Sequence, residues 1–265
     1  MLGKRRRIKK IIRNGRTIIV PMDHGVSKPV EGLEDVDGVL RKIDGIADAV
    51  VLHKGIVRRS EYVSKMDMGL IIHLSASTSL VEPNEKVIVT SVEKAIKLGA
   101  DAVSVHVNIG SRTEKYQLRD LGMISEVCDD WGMPLLAMIY PRGKGIDERD
   151  PELVKHAVRI GYELGADIVK TNYTDSETFK KIVESADIPI VIAGGAKKDE
   201  FMLLREVKDA ISAGACGVAI GRNVFQHKNP ERIAKALKMI VHDNASLEDV
   251  KEVLYEGDMV TCNWR

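Results

Sequence analysis

Short runs of Val, Ile, Leu and Ala recur along this chain at intervals of a few tens of residues. Most of the stretches between them carry apolar residues at helical spacing. The runs cover residues 17–23, 49–54, 70–75, 102–108, 134–140, 167–172, 189–195 and 217–222. Most are continuous rather than alternating, which means burial on both faces, as in a parallel sheet covered by helices. The phrase Leu-Gly-Ala-Asp stands at 98–101 and again at 164–167, with the related Ala-Gly-Ala-Cys-Gly at 213–217. In each, a helix ends at glycine and a strand begins at once. Eight such βα units predict an α/β fold, a (β/α)8 TIM barrel in a single domain over 1–265. An open doubly wound sheet is the other arrangement with this strand count. The basic segment 4–10, within an N-terminal stretch 1–16, predicts a short solvated helix over the bottom of the barrel. The stretch 242–265 is acidic, predicted helical to about Leu254 and irregular beyond.

Composition narrows the classes. The chain has 265 residues, 44% hydrophobic and 30% charged, enough for a full core. A formal net charge of +1 gives no general attraction to nucleic acid or to a membrane surface, so neither is expected as a partner. No apolar run approaches the ~18 residues of a membrane span, and the N-terminus lacks the apolar stretch of a signal peptide. The three cysteines, Cys128, Cys216 and Cys262, are scattered. That pattern fits a reducing cytoplasm and argues against a zinc site or a disulfide framework.

A barrel of this kind keeps its chemistry at the C-terminal ends of its strands. Read in order, those ends give Asp23-His24-Gly25-Val26-Ser27, His53-Lys54-Gly55, His73 with Ser75, His106 with Asn108, Tyr140-Pro141-Arg142-Gly143, Lys170-Thr171-Asn172, Gly194-Gly195 and Gly221-Arg222-Asn223. Almost every strand ends in a titratable or hydrogen-bonding group, which points to an enzyme.

Lys170 ends the run Ala-Asp-Ile-Val-Lys-Thr-Asn (166–172). A desolvated lysine can attack a carbonyl and form a Schiff base. Its pKa must fall from about 10.4 toward neutrality, at about 1.4 kcal/mol per pH unit, through burial and neighbouring cations such as Arg142. Lys54, at the end of Ala-Val-Val-Leu-His-Lys, has the same apolar approach and is the rival. Asp23 and Tyr140 supply a carboxylate and a phenol for proton transfer. Gly194-Gly195 and Gly221-Arg222 read as a phosphate cradle, with glycines admitting an anion to the backbone and an arginine to pair with it. His53, His73 and His106 lie on three strands without tight spacing. They read as hydrogen-bonding histidines, and no metal or cofactor is expected.

At these residues the chain resembles the class I aldolase family of archaeal fructose-bisphosphate aldolases and their relatives. The matching pieces are Pro-Met-Asp-His-Gly-Val-Ser (21–27), Tyr-Pro-Arg-Gly-Lys (140–144), Val-Lys-Thr-Asn-Tyr (169–173), Ala-Gly-Gly (193–195) and Gly-Arg-Asn-Val-Phe-Gln (221–226). Further segments, among them Leu-His-Lys-Gly-Ile-Val-Arg (52–58) and Val-His-Val-Asn-Ile-Gly-Ser (105–111), look closest to a synthase branch of that family.

The resemblance implies Lys170 as the Schiff-base lysine, Asp23 as proton acceptor and Tyr140 as proton donor. It also implies a sugar-phosphate site lined by Asp23, His24, Gly25, Val26, Ser27, Tyr140, Pro141, Arg142, Lys170, Thr171, Asn172, Gly194, Gly195, Gly221 and Arg222. The branch implies a transaldolase-type reaction of a phosphorylated keto-sugar with L-aspartate semialdehyde, on an alternative route to 3-dehydroquinate and the aromatic amino acids, in a homo-oligomer. A class I fructose-1,6-bisphosphate aldolase would use the same lysine and loops. A deoxyribose-phosphate-type lysine enzyme fits the first and fifth strand ends less well. A non-catalytic sugar-phosphate-binding barrel would bind without imine formation.

Overall fold

The computed structural model describes residues 2–255. Cys262, Trp264 and the irregular stretch expected after Leu254 lie outside the described residues, apart from the last helical residue, Tyr255. The apolar runs form the strands β1 (Thr17–Pro21), β2 (Ala49–Leu52), β3 (Gly69–His73), β6 (Ala102–Ile109), β7 (Leu135–Pro141), β8 (Ile168–Thr171), β9 (Ile190–Ala193) and β10 (Gly217–Ala219). Their β-branched side chains pack on both sheet faces, so nearly every position is buried. All neighbours pair parallel, and the ring closes in the order β1-β10-β9-β8-β7-β6-β3-β2, with Thr17 beside Gly217 at the seam. The fold is therefore the closed eight-stranded barrel, not the open sheet.

Ile19, Ala49, Val51, Ile71, Leu136, Met138, Ile168 and Val191 fill the interior. The opposite face of each strand packs on helices α4 (Val92–Lys97), α5 (Glu114–Trp131), α6 (Pro151–Glu163), α7 (Ser176–Glu184), α8 (Glu200–Ser212) and α10 (Pro230–Val241). Helices α2 (Val36–Ile43) and α11 (Leu247–Tyr255) complete the outer layer, while α3 (Lys54–Val57) and α9 (Arg222–Phe225) are single turns at the rim.

Several strands stop short of the apolar runs that announced them. β1 ends at Pro21 and β10 at Ala219, each with one further ladder bond at its tip: Met22 N–H donates to the Val51 carbonyl at 2.9 Å and Ile220 N–H to the Ile19 carbonyl at 3.0 Å. A two-stranded hairpin, β4 (Ser75–Ala76) with β5 (Val87–Ile88), leaves the top of β3 as an arm, where the sequence showed no strand.

The N-terminal helix α1 (Leu2–Ile11) closes the bottom of the barrel. Arg5, Arg6, Lys9 and Lys10 are exposed, as the sequence suggested, while Lys4 and Arg7 anchor the helix. Lys4 pairs with Asp167 at 3.0 Å, and Arg7 donates to the Gly132 carbonyl at 2.7 Å, capping α5. Ile11 plugs the interior from below.

The repeated phrase has a physical meaning. Gly99 and Gly165 take φ of +83° and +85°, the left-handed turn that ends a helix. The aspartate that follows accepts the first free N–H of the preceding strand: Asp101 from Leu70 at 3.0 Å, Asp167 from Leu135 at 2.9 Å. Asp48 does the same for Ile18 at 2.7 Å. Buried N–H groups at the barrel floor thus find carboxylate partners.

Candidate active site

Side chains along a strand alternate between the barrel interior and the helices. In β8, Ile168 and Lys170 point inward, while Val169 joins the core behind the strand. In β7 the inward set is Leu136, Met138 and Tyr140. Inward residues near the strand tips, among them His73, His106, Tyr140, Lys170, Ala193 and Ala219, face a cavity of about 250 Å³ at the C-terminal end of the barrel. Lys170 (8% exposed), Tyr140 (4%), His53, His73, His106 and Asp23 meet there. So do His24, Val26, Ser27, Arg142, Asn172, Gly194, Gly195, Gly221 and Arg222.

Three expected lining residues do not reach the cavity wall. Thr171 is one position out of phase with Lys170 and is fully buried, with its hydroxyl unpartnered. Pro141 is likewise one position past Tyr140 and buried, and Gly25 sits exposed in the 3-10 turn His24–Val26. The rival lysine is separated too. Lys54 begins α3, its amine donates to the Val89 carbonyl, and it does not line the cavity.

Asp23 lies 3.7 Å from His73 Nε2 and 3.8 Å from His24 Nδ1. Burial opposes its charge, but His73, His24 and Lys170 outweigh this and hold the carboxyl well below the usual range. His73 is itself pushed down to about 4, because burial outweighs the pull of Asp23. At neutral pH Asp23 is therefore a carboxylate facing a neutral imidazole. That imidazole is fixed by Ser104 at 2.8 Å and Ser75 at 3.3 Å. Burial also lowers His24, His53 and His106. His106 is held by Asn108 at 2.8 Å and lies edge-on to the Tyr140 ring at 5.1 Å. The Arg142 guanidinium sits 4.3 Å from the centre of that ring and pairs with Glu148 at 3.0 Å. Among the described residues no group of three or more His, Cys, Asp or Glu side chains is arranged to hold a metal ion.

The β9 and β10 loops form a different surface. A Cβ on Gly221 would stand 2.3 Å from the Pro21 carbonyl oxygen, so only glycine lets the loop lie this close to β1. Arg222 Nε is buried with no hydrogen-bond partner, and burial and Arg142 both work against its charge. A buried guanidinium N–H without an acceptor is costly, and an anion can satisfy it.

Sequence reasoning missed the β4–β5 arm. Ser77, Asn84 and Lys86 line the cavity from it, and Met138, Ala193 and Ala219 line it from the strands. The arm's polar residues carried no periodic signal. The small or apolar strand residues carried no chemical signal of their own, and the fold shows that they face the cavity.

A closed βα barrel with a buried lysine, a carboxylate, a phenol and a buried guanidinium around one cavity at the C-terminal ends of its strands is the arrangement of an enzyme of the aldolase and transaldolase type. The chain belongs to the DeoC/LacD family of aldolases, whose model matches residues 17–227. It is 59% identical to the 2-amino-3,7-dideoxy-D-threo-hept-6-ulosonate synthase 1 of Archaeoglobus fulgidus, over 98% of both chains. It is 44% identical to the 2-amino-4,5-dihydroxy-6-oxo-7-(phosphonooxy)heptanoate synthase of Streptomyces griseus, over 87% of this chain and 86% of that one. Among solved structures, a Schiff-base-forming fructose-1,6-bisphosphate aldolase superposes with a TM-score of 0.84 at 33% identity, over 91% of this chain and all of that one. The likeness to archaeal class I aldolases and to their synthase branch thus extends along nearly the whole chain. No helix among the described residues is long and apolar enough to cross a membrane.

Proposed function

We propose that this enzyme is a transaldolase-type synthase that joins a three-carbon unit of 6-deoxy-5-ketofructose 1-phosphate to L-aspartate semialdehyde. The products are 2-amino-3,7-dideoxy-D-threo-hept-6-ulosonate and hydroxypyruvaldehyde phosphate. The observation that carries the reading is Lys170, buried at the inward tip of β8 in one cavity with Asp23 and Tyr140. Support for the substrates comes from the synthases of A. fulgidus and of Halobacterium salinarum, the latter 41% identical over 93% of this chain.

In this mechanism the Lys170 amine attacks the C5 ketone of the donor. Tyr140 gives a proton to the carbinolamine hydroxyl, which leaves as water and yields the iminium. Asp23, ionised at neutral pH, takes the proton of the C3 hydroxyl. The C3–C4 bond breaks, and its electron pair moves into the C4–C5 enamine. The phosphorylated aldehyde departs. C4 of the enamine then attacks the aldehyde of L-aspartate semialdehyde, and the new alkoxide takes the proton held by Asp23. Water hydrolyses the iminium and restores the lysine. The Gly194-Gly195 and Gly221-Arg222 loops anchor the donor phosphate. Lys54, occupied with the Val89 carbonyl, takes no part.

A second reading, a fructose-1,6-bisphosphate aldolase, is favoured by the likeness to the aldolase structure. Borohydride trapping followed by peptide mass spectrometry tests both. The synthase reading expects the 6-deoxy-5-ketofructose 1-phosphate adduct on Lys170, and a seven-carbon amino acid product when the semialdehyde is added. An adduct on Lys54 overturns the residue assignment. Triose phosphates from fructose 1,6-bisphosphate, with no seven-carbon product from the other pair, favour the second reading.

A further inference from the structure

In the ring of eight strands, β6 stands four places from β10, and β3 four places from β9. The arm β4–β5 rises from β3 and lies over β6, so it covers the rim directly across from the Arg222 loops. The arm is fixed at several points. The Asn84 carbonyl accepts from Asn108 Nδ2 at 2.9 Å and from Gln117 Nε2 at 2.8 Å, and Ser79 N–H bonds the Ser27 carbonyl at 2.9 Å.

The arm turns Lys86 into the cavity. Its amine donates to Ser77 Oγ, whose own proton goes to the Pro83 carbonyl. Two ammonium N–H groups are left over, and no carboxylate of the described residues lies within ion-pair distance. Of the other cations around the cavity, Arg142 pairs with Glu148 and Lys54 donates to the Val89 carbonyl, while Arg222 stands on the loops across the rim and Lys170 at the inward tip of β8. Burial and Arg142 bring Lys86 down to about 8, against the weaker opposite pull of Asp23, which does not pair with it.

We propose that Lys86 is a second anion anchor, separate from the Arg222 loops, and that it binds the carboxylate of the acceptor aldehyde. A compact ammonium with two free N–H donors can pair with a carboxylate as a point charge. The glycine loops and buried guanidinium opposite suit a phosphate. The acceptor's aldehyde carbon must stand where the departing aldehyde carbon stood. The chain beyond it can turn about that bond, so donor phosphate and acceptor carboxylate use different anchors. Held at Lys86, the acceptor presents one face of its carbonyl to the enamine.

This inference rests on the synthase reading, and the test keeps the two apart. Borohydride trapping of wild type with the donor alone reports the Schiff base; its absence overturns that reading and this one with it. With trapping intact, acceptor kinetics are compared for wild type, Lys86→Met and Lys86→Arg. The acceptors are L-aspartate semialdehyde and 3-aminopropanal, the same molecule without its carboxylate. Lys86→Met is expected to raise the KM for the semialdehyde roughly 10- to 100-fold, the worth of a charged hydrogen bond. Its KM for 3-aminopropanal and its donor trapping stay within about twofold, and Lys86→Arg recovers part of the loss. An unchanged semialdehyde KM, or an equal loss with both acceptors, overturns the anchor.

Discussion

Replacing Arg222 by methionine should make the protein more stable and its site less useful. The side chain keeps comparable length and loses the guanidinium. In the free protein, Arg222 Nε is buried without an acceptor, and a second guanidinium, that of Arg142, lies close enough to repel it. One buried unsatisfied donor costs about 1–3 kcal/mol. Relieving even the lower part of that, about 1 kcal/mol, raises Tm by about 2–4 °C in a chain of this size. The donor phosphate, in turn, loses a charged hydrogen bond worth about 1.5–3 kcal/mol, so its KM should rise about 10- to 100-fold. The phosphate is remote from the bond that breaks, so kcat should change far less. Differential scanning fluorimetry with and without inorganic phosphate, together with steady-state kinetics in donor, reads all three quantities. Phosphate should raise the Tm of wild type and leave that of the variant nearly still. A variant that melts earlier, with donor KM unchanged, would refute the reasoning. It would show that Arg222 serves the fold.

Other expectations follow from the same geometry. Tyr140→Phe should lower kcat by about 10²–10⁴-fold while donor KM moves only a few-fold, as measured by steady-state kinetics; an unchanged kcat excludes the phenol as proton donor. His73 is buried neutral, with a pKa of about 4 against 6.5 when free. As pH falls below 6.5 the unfolded chain takes up a proton that the folded chain refuses. Stability should therefore decline down to about pH 4 by up to about 3 kcal/mol. Urea unfolding of wild type and His73→Gln between pH 4 and 7 should show a shallower decline for the variant. Asp48→Ala leaves the Ile18 N–H without its acceptor at 2.7 Å and frees His242, also at 2.7 Å. It should cost about 2–4 kcal/mol in urea unfolding and leave kcat per folded molecule unaltered.

What the sequence disclosed depended on which physical constraint wrote it. Burial on both faces produces unbroken Val/Ile runs, so the eight strands and their order could be read directly. The same burial hid their phase. Lys170 and Lys54 follow similar apolar runs, and only the fold shows that the inward positions of β2 are Ala49 and Val51. Lys54 is thus one residue out of step, and Thr171 fails for the same reason. Strand-end chemistry was legible because polar residues interrupt apolar runs there. Lys86 was not. It lies in the polar stretch Val-Glu-Pro-Asn-Glu-Lys, on a hairpin whose strands are two residues long. Such a hairpin is too short for alternation to show, and its place over the cavity is fixed by contacts to Asn108 and Gln117, distant in sequence.

The floor carboxylates have a consequence for how such a barrel is put together. Asp48 ties the second strand of the ring to the first, Asp101 the fourth to the third, and Asp167 the sixth to the fifth. At the eighth strand the corresponding residue is Cys216, whose thiol reaches instead to the Gly15 carbonyl, across the seam toward the start of the chain. The floor contacts thus group the strands two by two. Three pairs carry their own clasp, and the fourth is secured to the beginning of the barrel. The floor of the barrel is therefore closed by side chains that alternate around the ring, and its seam is closed by a thiol rather than a carboxylate.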